Sequence, residues 1–238
     1  MKLPGNTMRA LLFTSGSPFA RAVRIILDEI GLNYERREEV TPPSLEQRAA
    51  ATPTLQVPTF WDGELTLWES GTIAEYLLST YPQRRAVEPA LSPHAFRADA
   101  LWQDKLTFST IQTFGTAATT ISQMKWVGVA IDQNAHLERS AQKLIHILDW
   151  LEGQLVDQKR GFQPGWLSMH DIFIAAHVRF VQARPLGIDL ELNRFEKVAA
   201  LLDRLDERES FKANPIWWWE PGVIGYEPDG TPVFSDKA

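Results

Sequence analysis

Thr14-Ser15-Gly16-Ser17-Pro18-Phe19-Ala20-Arg21 is the stretch from which the fold can be read. Ala10-Leu11-Leu12-Phe13 leads into it as a short apolar strand over residues 8–14. From Pro18 onward Phe19, Ala22, Val23, Ile26, Leu27 and Ile30 recur at three- and four-residue steps. That spacing predicts a helix with one apolar face. Ser17 falls at its N-cap and Pro18 at its first helical position, the favoured pair at a helix start. Gly31 stops it. The free N–H groups and positive dipole end at such a start stabilise an anion, for instance a thiolate. Ser-Pro also starts helices that do no chemistry, so both readings stand at this point.

Working outward, Asn33 to Val40 reads as a second strand, and its charged run Glu35 to Glu39 predicts an edge position. Thr41-Pro42-Pro43-Ser44 opens a short Ala-rich helix to about Ala51. Thr52 to Trp61 follows as a strand entered through Val57-Pro58, a proline that marks an edge or a tight turn. Asp62-Gly63 reads as a hairpin turn, and Leu65 to Trp68 as the return strand. Glu69-Ser70 begins a helix with Ile73, Ala74, Leu77, Leu78 and Tyr81 on its apolar face. Ser70 is its predicted N-cap and a second place able to hold an anion. The order βαβαββα predicts a small α/β unit with a mixed four-stranded sheet.

Pro82 to Pro93 has three prolines and no periodicity, which predicts a linker. Beyond it strand signals vanish. Helices are predicted from His94 to about Ser122 and from about Asp132 to Val156. Ser168 and Asp171 form a capping box ahead of the apolar, buried helix Ile172 to Val178. Phe195, Val198, Leu202 and Leu205 mark another helix, and Ser210 to Pro215 a short last turn. The expected organisation is an α/β domain over 8–81, a linker over 82–93, an all-α domain over 94–215 and a Trp-rich tail over 216–238. Trp217-Trp218-Trp219 are expected to pack back onto the body, over a cleft between domains or remote from it, because three indoles left in water are unfavourable.

Composition narrows the chemistry. Hydrophobic residues make up 44% and charged residues 23%, as in a globular protein. A net charge of −6 gives no basic footprint, so nucleic acid is not an expected partner. No run reaches the roughly 18 apolar residues of a membrane helix. MKLPGNTMRALLF lacks a signal-peptide pattern, so the expected location is the cytoplasm. Cysteine is absent, which excludes disulfides and a cysteine nucleophile; a reacting thiol must arrive with a ligand. His94, His136, His146, His170 and His177 show no metal-ligand spacing, and no metal is expected. Phosphate-loop and dinucleotide fingerprints are absent.

Taken in order, these features resemble a cytosolic glutathione transferase of the serine-type, bacterial-like kind over about residues 8–215. The matching residues are Ser-Pro-Phe-x-x-x-Val-Arg (Ser17 to Arg24), Val57-Pro58 before a hairpin, Glu69-Ser70 at a helix start and Ser168-x-x-Asp171. The resemblance implies a thioredoxin-like N-terminal domain and an all-helical C-terminal domain lining a second-substrate pocket. It also implies a homodimer, glutathione as co-substrate, a small electrophile as its partner and a role in detoxification. It gives Ser17 the hydrogen bond to the glutathione sulfur, with Ser15 as the competing choice. Phe19, Gln56, Val57, Pro58, Glu69 and Ser70 complete the implied glutathione site. Val57 would pair its backbone with the cysteinyl part, Pro58 being cis, and Glu69 and Ser70 would hold the γ-glutamyl end.

Elementary chemistry agrees with those roles. A free thiol with a pKa near 8.5 is only a few per cent thiolate at neutral pH. Lowering it by two units takes about 2.7 kcal/mol of preferential thiolate stabilisation. A hydroxyl hydrogen bond and a helix N-terminus can supply that. Ser70 suits a carboxylate and Glu69 an ammonium, although the pair also reads as a simple cap. Trp102, Phe108 and Trp126 lie where the family lines its second pocket, while aromatics at helical spacing also form cores. Gln56 stands where the family often has a basic residue, which predicts weaker glutathione binding. Arg48 either compensates or is a surface arginine. Two other readings share this pattern. One is a non-catalytic interaction module, since Gly63 to Ser70 also resembles the stringent starvation protein, a partner of RNA polymerase. The other is a glutathione-dependent isomerase or dehalogenase.

Overall fold

The structure is a computed structural model, described for residues 9–39, 45–82, 87–216, 223–226 and 232–234. Val40, the expected helix opening Thr41-Pro42-Pro43-Ser44 and Trp217-Trp218-Trp219 lie outside the described residues.

The α/β part has the order β1 (Arg9–Phe13), α1 (Pro18–Ile30), β2 (Glu35–Glu38), α2 (Leu45–Ala51), β3 (Thr59–Asp62), β4 (Leu65–Trp68) and α3 (Ser70–Thr80). The sheet runs β2-β1-β3-β4. β1 pairs in parallel with β2, Leu11 opposite Arg36, and antiparallel with β3, Leu11 opposite Phe60. Adjacent Ala10 and Leu11 are both buried, so both faces of the central strand are covered. β2 takes the edge with all four residues exposed, where a charged strand discourages further pairing.

Local chemistry fixes the ends of α1. The Ser17 side chain accepts from the Ala20 N–H, and Gly31 closes the helix at φ 71. The hairpin turn sits one residue later than expected. Asp62 pairs with Leu65, so the turn is Gly63-Glu64, with Gly63 at φ 61, a conformation glycine takes without strain. Likewise Glu69 takes the N-cap position of α3, without a side-chain capping bond, and Ser70 is its first helical residue. The chain leaving β4 bends sharply through Glu69, whose φ is 64, and the helix therefore starts one residue early.

The remainder is mostly helical: α4 (Leu101–Trp126), α5 (Ala135–Gln154), α6 (Met169–Ala183), α7 (Glu196–Asp206) and α8 (Glu209–Lys212). Residues 94–97 stay out of α4, which begins after a short tight turn over Ala98–Ala100. The Arg97 backbone N–H and guanidinium both donate to Asp104, at 2.8 and 2.6 Å, which holds that segment across the helix start. Asn134 caps α5. The Ser168–Asp171 capping box forms, with the Ser168 N–H donating to Asp171 Oδ2 at 2.8 Å. α6 is buried nearly all round and packs against α1, α4 and α7. A hairpin of β5 (Val223–Tyr226) and β6 (Pro232–Phe234) lies in the tail, where no strand is expected from sequence. Among the described residues no helix is long and apolar enough to cross a membrane.

The two parts are clasped at the far end of α1. Glu29 is buried and accepts from Arg208 at 2.9 and 2.8 Å and from the Ser210 hydroxyl. Arg208 also donates to the Pro89 carbonyl at 3.2 Å. Asn214 donates to Asp28 at 2.6 Å, and its own carbonyl accepts from Arg21 Nε at 2.7 Å. Burial lowers the Arg21 guanidinium to about 10, and does the same to Arg24, which lies 4.8 Å over the Phe13 ring.

Candidate active site

The near end of α1 opens onto a cavity of about 380 Å³ between the sheet end and the helices. Thr14, Gly16, Ser17 and Phe19 form one wall. The Ser17 N–H donates to the Thr14 carbonyl at 3.1 Å, which folds the loop into a turn. Ser17 Oγ accepts from the Ala20 N–H at 3.2 Å. One lone pair is thereby used and the hydroxyl proton is left to donate, the polarity a thiolate needs. Ser15 is elsewhere. It is buried and its hydroxyl donates to Glu38 on the edge strand, so the structure does not bring it into this cavity.

A second cavity of about 200 Å³ adjoins the first, sharing Phe19, Gln56 and Val57, and adds Pro58, Glu69 and Ser70. The predicted glutathione residues Phe19, Gln56, Val57, Pro58, Glu69 and Ser70 thus line one continuous surface with Ser17. Val57-Pro58 is cis. Sheet pairing starts only at Thr59, so the Val57 peptide group lies outside the ladder. Ser70 is buried at the first turn of α3, where N–H groups lack helical partners.

The opposite wall comes from α4 and α6. Trp126 lines the larger cavity. Phe108 is instead core, packed 5.0 Å from Phe173, and Trp102 is 73% exposed and lines neither cavity. α4 also presents Gln112, Thr116, Thr119 and Gln123 to the cavities, at steps of four, three and four. That polar stripe is visible in the sequence as a helical period, but only aromatic positions suggest pocket lining there.

Two arginines complete the site. Arg48 is half-buried: it lines the larger cavity and pairs with Glu39, whose carboxyl burial pushes up while Arg48 pulls it down. Arg184, the C-cap of α6, is buried and donates to the Gly16 carbonyl at 2.9 Å. Its guanidinium lies 4.4 Å from the Phe180 ring and 5.5 Å from that of Trp126. No local pattern singles out Arg184, because its partner is 168 positions earlier. No group of three or more His, Cys, Asp or Glu able to hold a metal occurs among the described residues.

A thioredoxin-like sheet is joined to a mostly helical part, and the candidate site lies at their junction. Residues 11–85 match the family described as glutathione S-transferase, N-terminal domain. Glutathione S-transferase D7 of Anopheles gambiae is 26% identical over 202 residues, covering 82% of this chain and 84% of the relative. A glutathione S-transferase of Methylobacterium radiotolerans, solved with glutathione sulfonate, is 24% identical with a TM-score of 0.70, covering 90% of this chain and 97% of that one. One of Methylobacillus flagellatus, solved with glutathione bound, is 21% identical with a TM-score of 0.71, covering 87% and 98%. Residues 11–85 are thus similar to a glutathione S-transferase N-terminal domain, and the chain as a whole shares the fold of these solved structures.

Proposed function

We propose that this protein is a glutathione transferase in which Ser17 stabilises the thiolate of bound glutathione for attack on a small electrophile. The observation that carries this reading is the Ser17 hydroxyl at the α1 N-cap, its lone pair engaged by Ala20 and its proton free for the cavity. The thiol proton passes to solvent, the thiolate attacks the electrophilic carbon, and the leaving group departs with its electron pair. Val57 would pair with the cysteinyl peptide group, Ser70 with the γ-glutamyl carboxylate and Glu69 with its ammonium. Arg48 would offset the neutral Gln56 at the glycyl end, since both line the same cavity. The aromatic side formed by Trp126 and Phe180 suits an apolar electrophile.

The reading extends to a cytoplasmic detoxification enzyme with domains over 8–81 and 94–215 joined by 82–93, and to a homodimer. Exposed Trp102 and Leu106 on α4, with Leu65 and Trp68 on the free edge strand β4, support the dimer. The test is glutathione binding by calorimetry together with conjugation of an aryl halide. Binding with turnover is the expected result; a folded protein that does not bind glutathione overturns the reading.

A further inference from the structure

His177 is fully buried beneath the site, and the transferase reading gives it no task. Its ring packs edge-on against Phe19 at 4.7 Å, and α4 comes so close that a Cβ at Gly115 would lie 2.5 Å from the ring. Its Nε2 lies 3.4 Å from Gln112 Oε1, while its Nδ1 has no partner. A carboxamide oxygen only accepts, so Nε2 carries the proton and donates. An unpartnered buried nitrogen is also better tolerated as a bare lone pair than as an N–H. Burial drives the imidazole down to about 3, so it stays neutral and holds this one tautomer across the physiological range.

The consequence falls on Gln112. With Oε1 turned to His177, its NH2 is directed the other way, towards the start of α3. A Cβ at Gly71 would lie 3.2 Å from Gln112 Nε2 and 2.8 Å from Phe108, so glycine at 71 lets the amide reach the helix start. Gln112 and Ser70 both line the smaller cavity. We infer that Gln112 is a further glutathione-binding residue, donating from the helical part to the γ-glutamyl α-carboxylate held at Ser70, and that His177 is the positioning residue that fixes the amide for this. The inference rests on the glutathione reading above and deepens it: the carboxylate is gripped from both parts of the fold.

The experiment is a cycle between protein and ligand. Wild type, Gln112→Ala and His177→Phe are titrated with glutathione and with γ-aminobutyryl-cysteinyl-glycine, which lacks only the α-carboxylate. Wild type is expected to prefer glutathione strongly, and each variant to lose about tenfold of that preference, as removal of a hydrogen bond to a charged group implies. The double variant is expected to lose no more than either single one. His177→Phe keeps a ring against Phe19, so a purely structural role would alter stability and leave the preference intact. Equal preference in wild type and Gln112→Ala overturns the inference while leaving the glutathione reading standing. Full preference in His177→Phe alone removes the positioning role. Failure of wild type to bind either ligand overturns both.

Discussion

Arg184 Nη2 donates to the Gly16 carbonyl at 2.9 Å, tying the C-cap residue of α6 to the loop that presents Ser17. The accepting carbonyl belongs to the Gly16–Ser17 peptide, so the contact fixes the orientation of that peptide. It also keeps a cation beside the proposed sulfur site, where opposite charge favours a thiolate. Arg184→Gln retains a donor and loses the charge; Arg184→Lys retains the charge. The bound thiol pKa, read by ultraviolet titration of the thiolate, is expected to rise by about half a unit to one unit in the glutamine variant and to stay near wild type in the lysine variant. Identical pKa values in all three would show that the charge does not act on the sulfur.

Ser17→Ala removes the proposed donor and leaves the helix N-terminus in place. Glutathione affinity is expected to stay within about threefold, the bound thiol pKa to rise by about one to two units, and turnover at neutral pH to fall at least tenfold. Ser15→Ala, which breaks only the contact to Glu38, is expected to leave the pKa unchanged. The reverse pattern would transfer the role to Ser15.

These two serines illustrate what the sequence makes legible. The span of α1 follows from Pro18, Gly31 and apolar spacing, all local chemistry, and the helix forms over those residues. Which serine faces the cavity depends on the partner strand, because Ser15 turns to Glu38 across β2. One-residue shifts, at Gly63-Glu64 and at Glu69, arise where the chain takes positive φ; glycine favours it at 63, while at Glu69 the connection imposes it against residue preference. Arg184 is illegible for a third reason, and Arg48 keeps both of its readings until the packing is known. Arginine at a helix end is ordinary on a surface, and only the packing of α6 against α1 puts Arg184 beneath the site.

The Glu29–Arg208 pair should govern how the helical part holds α1. Both partners are buried, and the carboxylate has a bidentate guanidinium plus the Ser210 hydroxyl. Arg208→Met strands a buried carboxylate and is expected to cost about 3–5 kcal/mol in denaturant unfolding. Glu29→Met combined with Arg208→Met removes both charges and should recover most of that loss. If the double variant is as unstable as Arg208→Met alone, the stranded charge is not the cause.

His177 also predicts how stability responds to acid. Its folded pKa of about 3 lies below the unfolded value near 6.5. Between those values the unfolded chain binds a proton that the folded chain does not, so stability falls as pH drops from about 6.5 towards 3. Burial lowers His170 in the same direction, so both contribute to the slope. His177→Phe removes only its own part. Over pH 7.5 to 5, urea unfolding of the variant is expected to lose about 2 kcal/mol less than wild type, the pH interval below 6.5 multiplied by about 1.36 kcal/mol per unit. Parallel pH profiles for the two proteins would mean that the ring takes up its proton without unfolding.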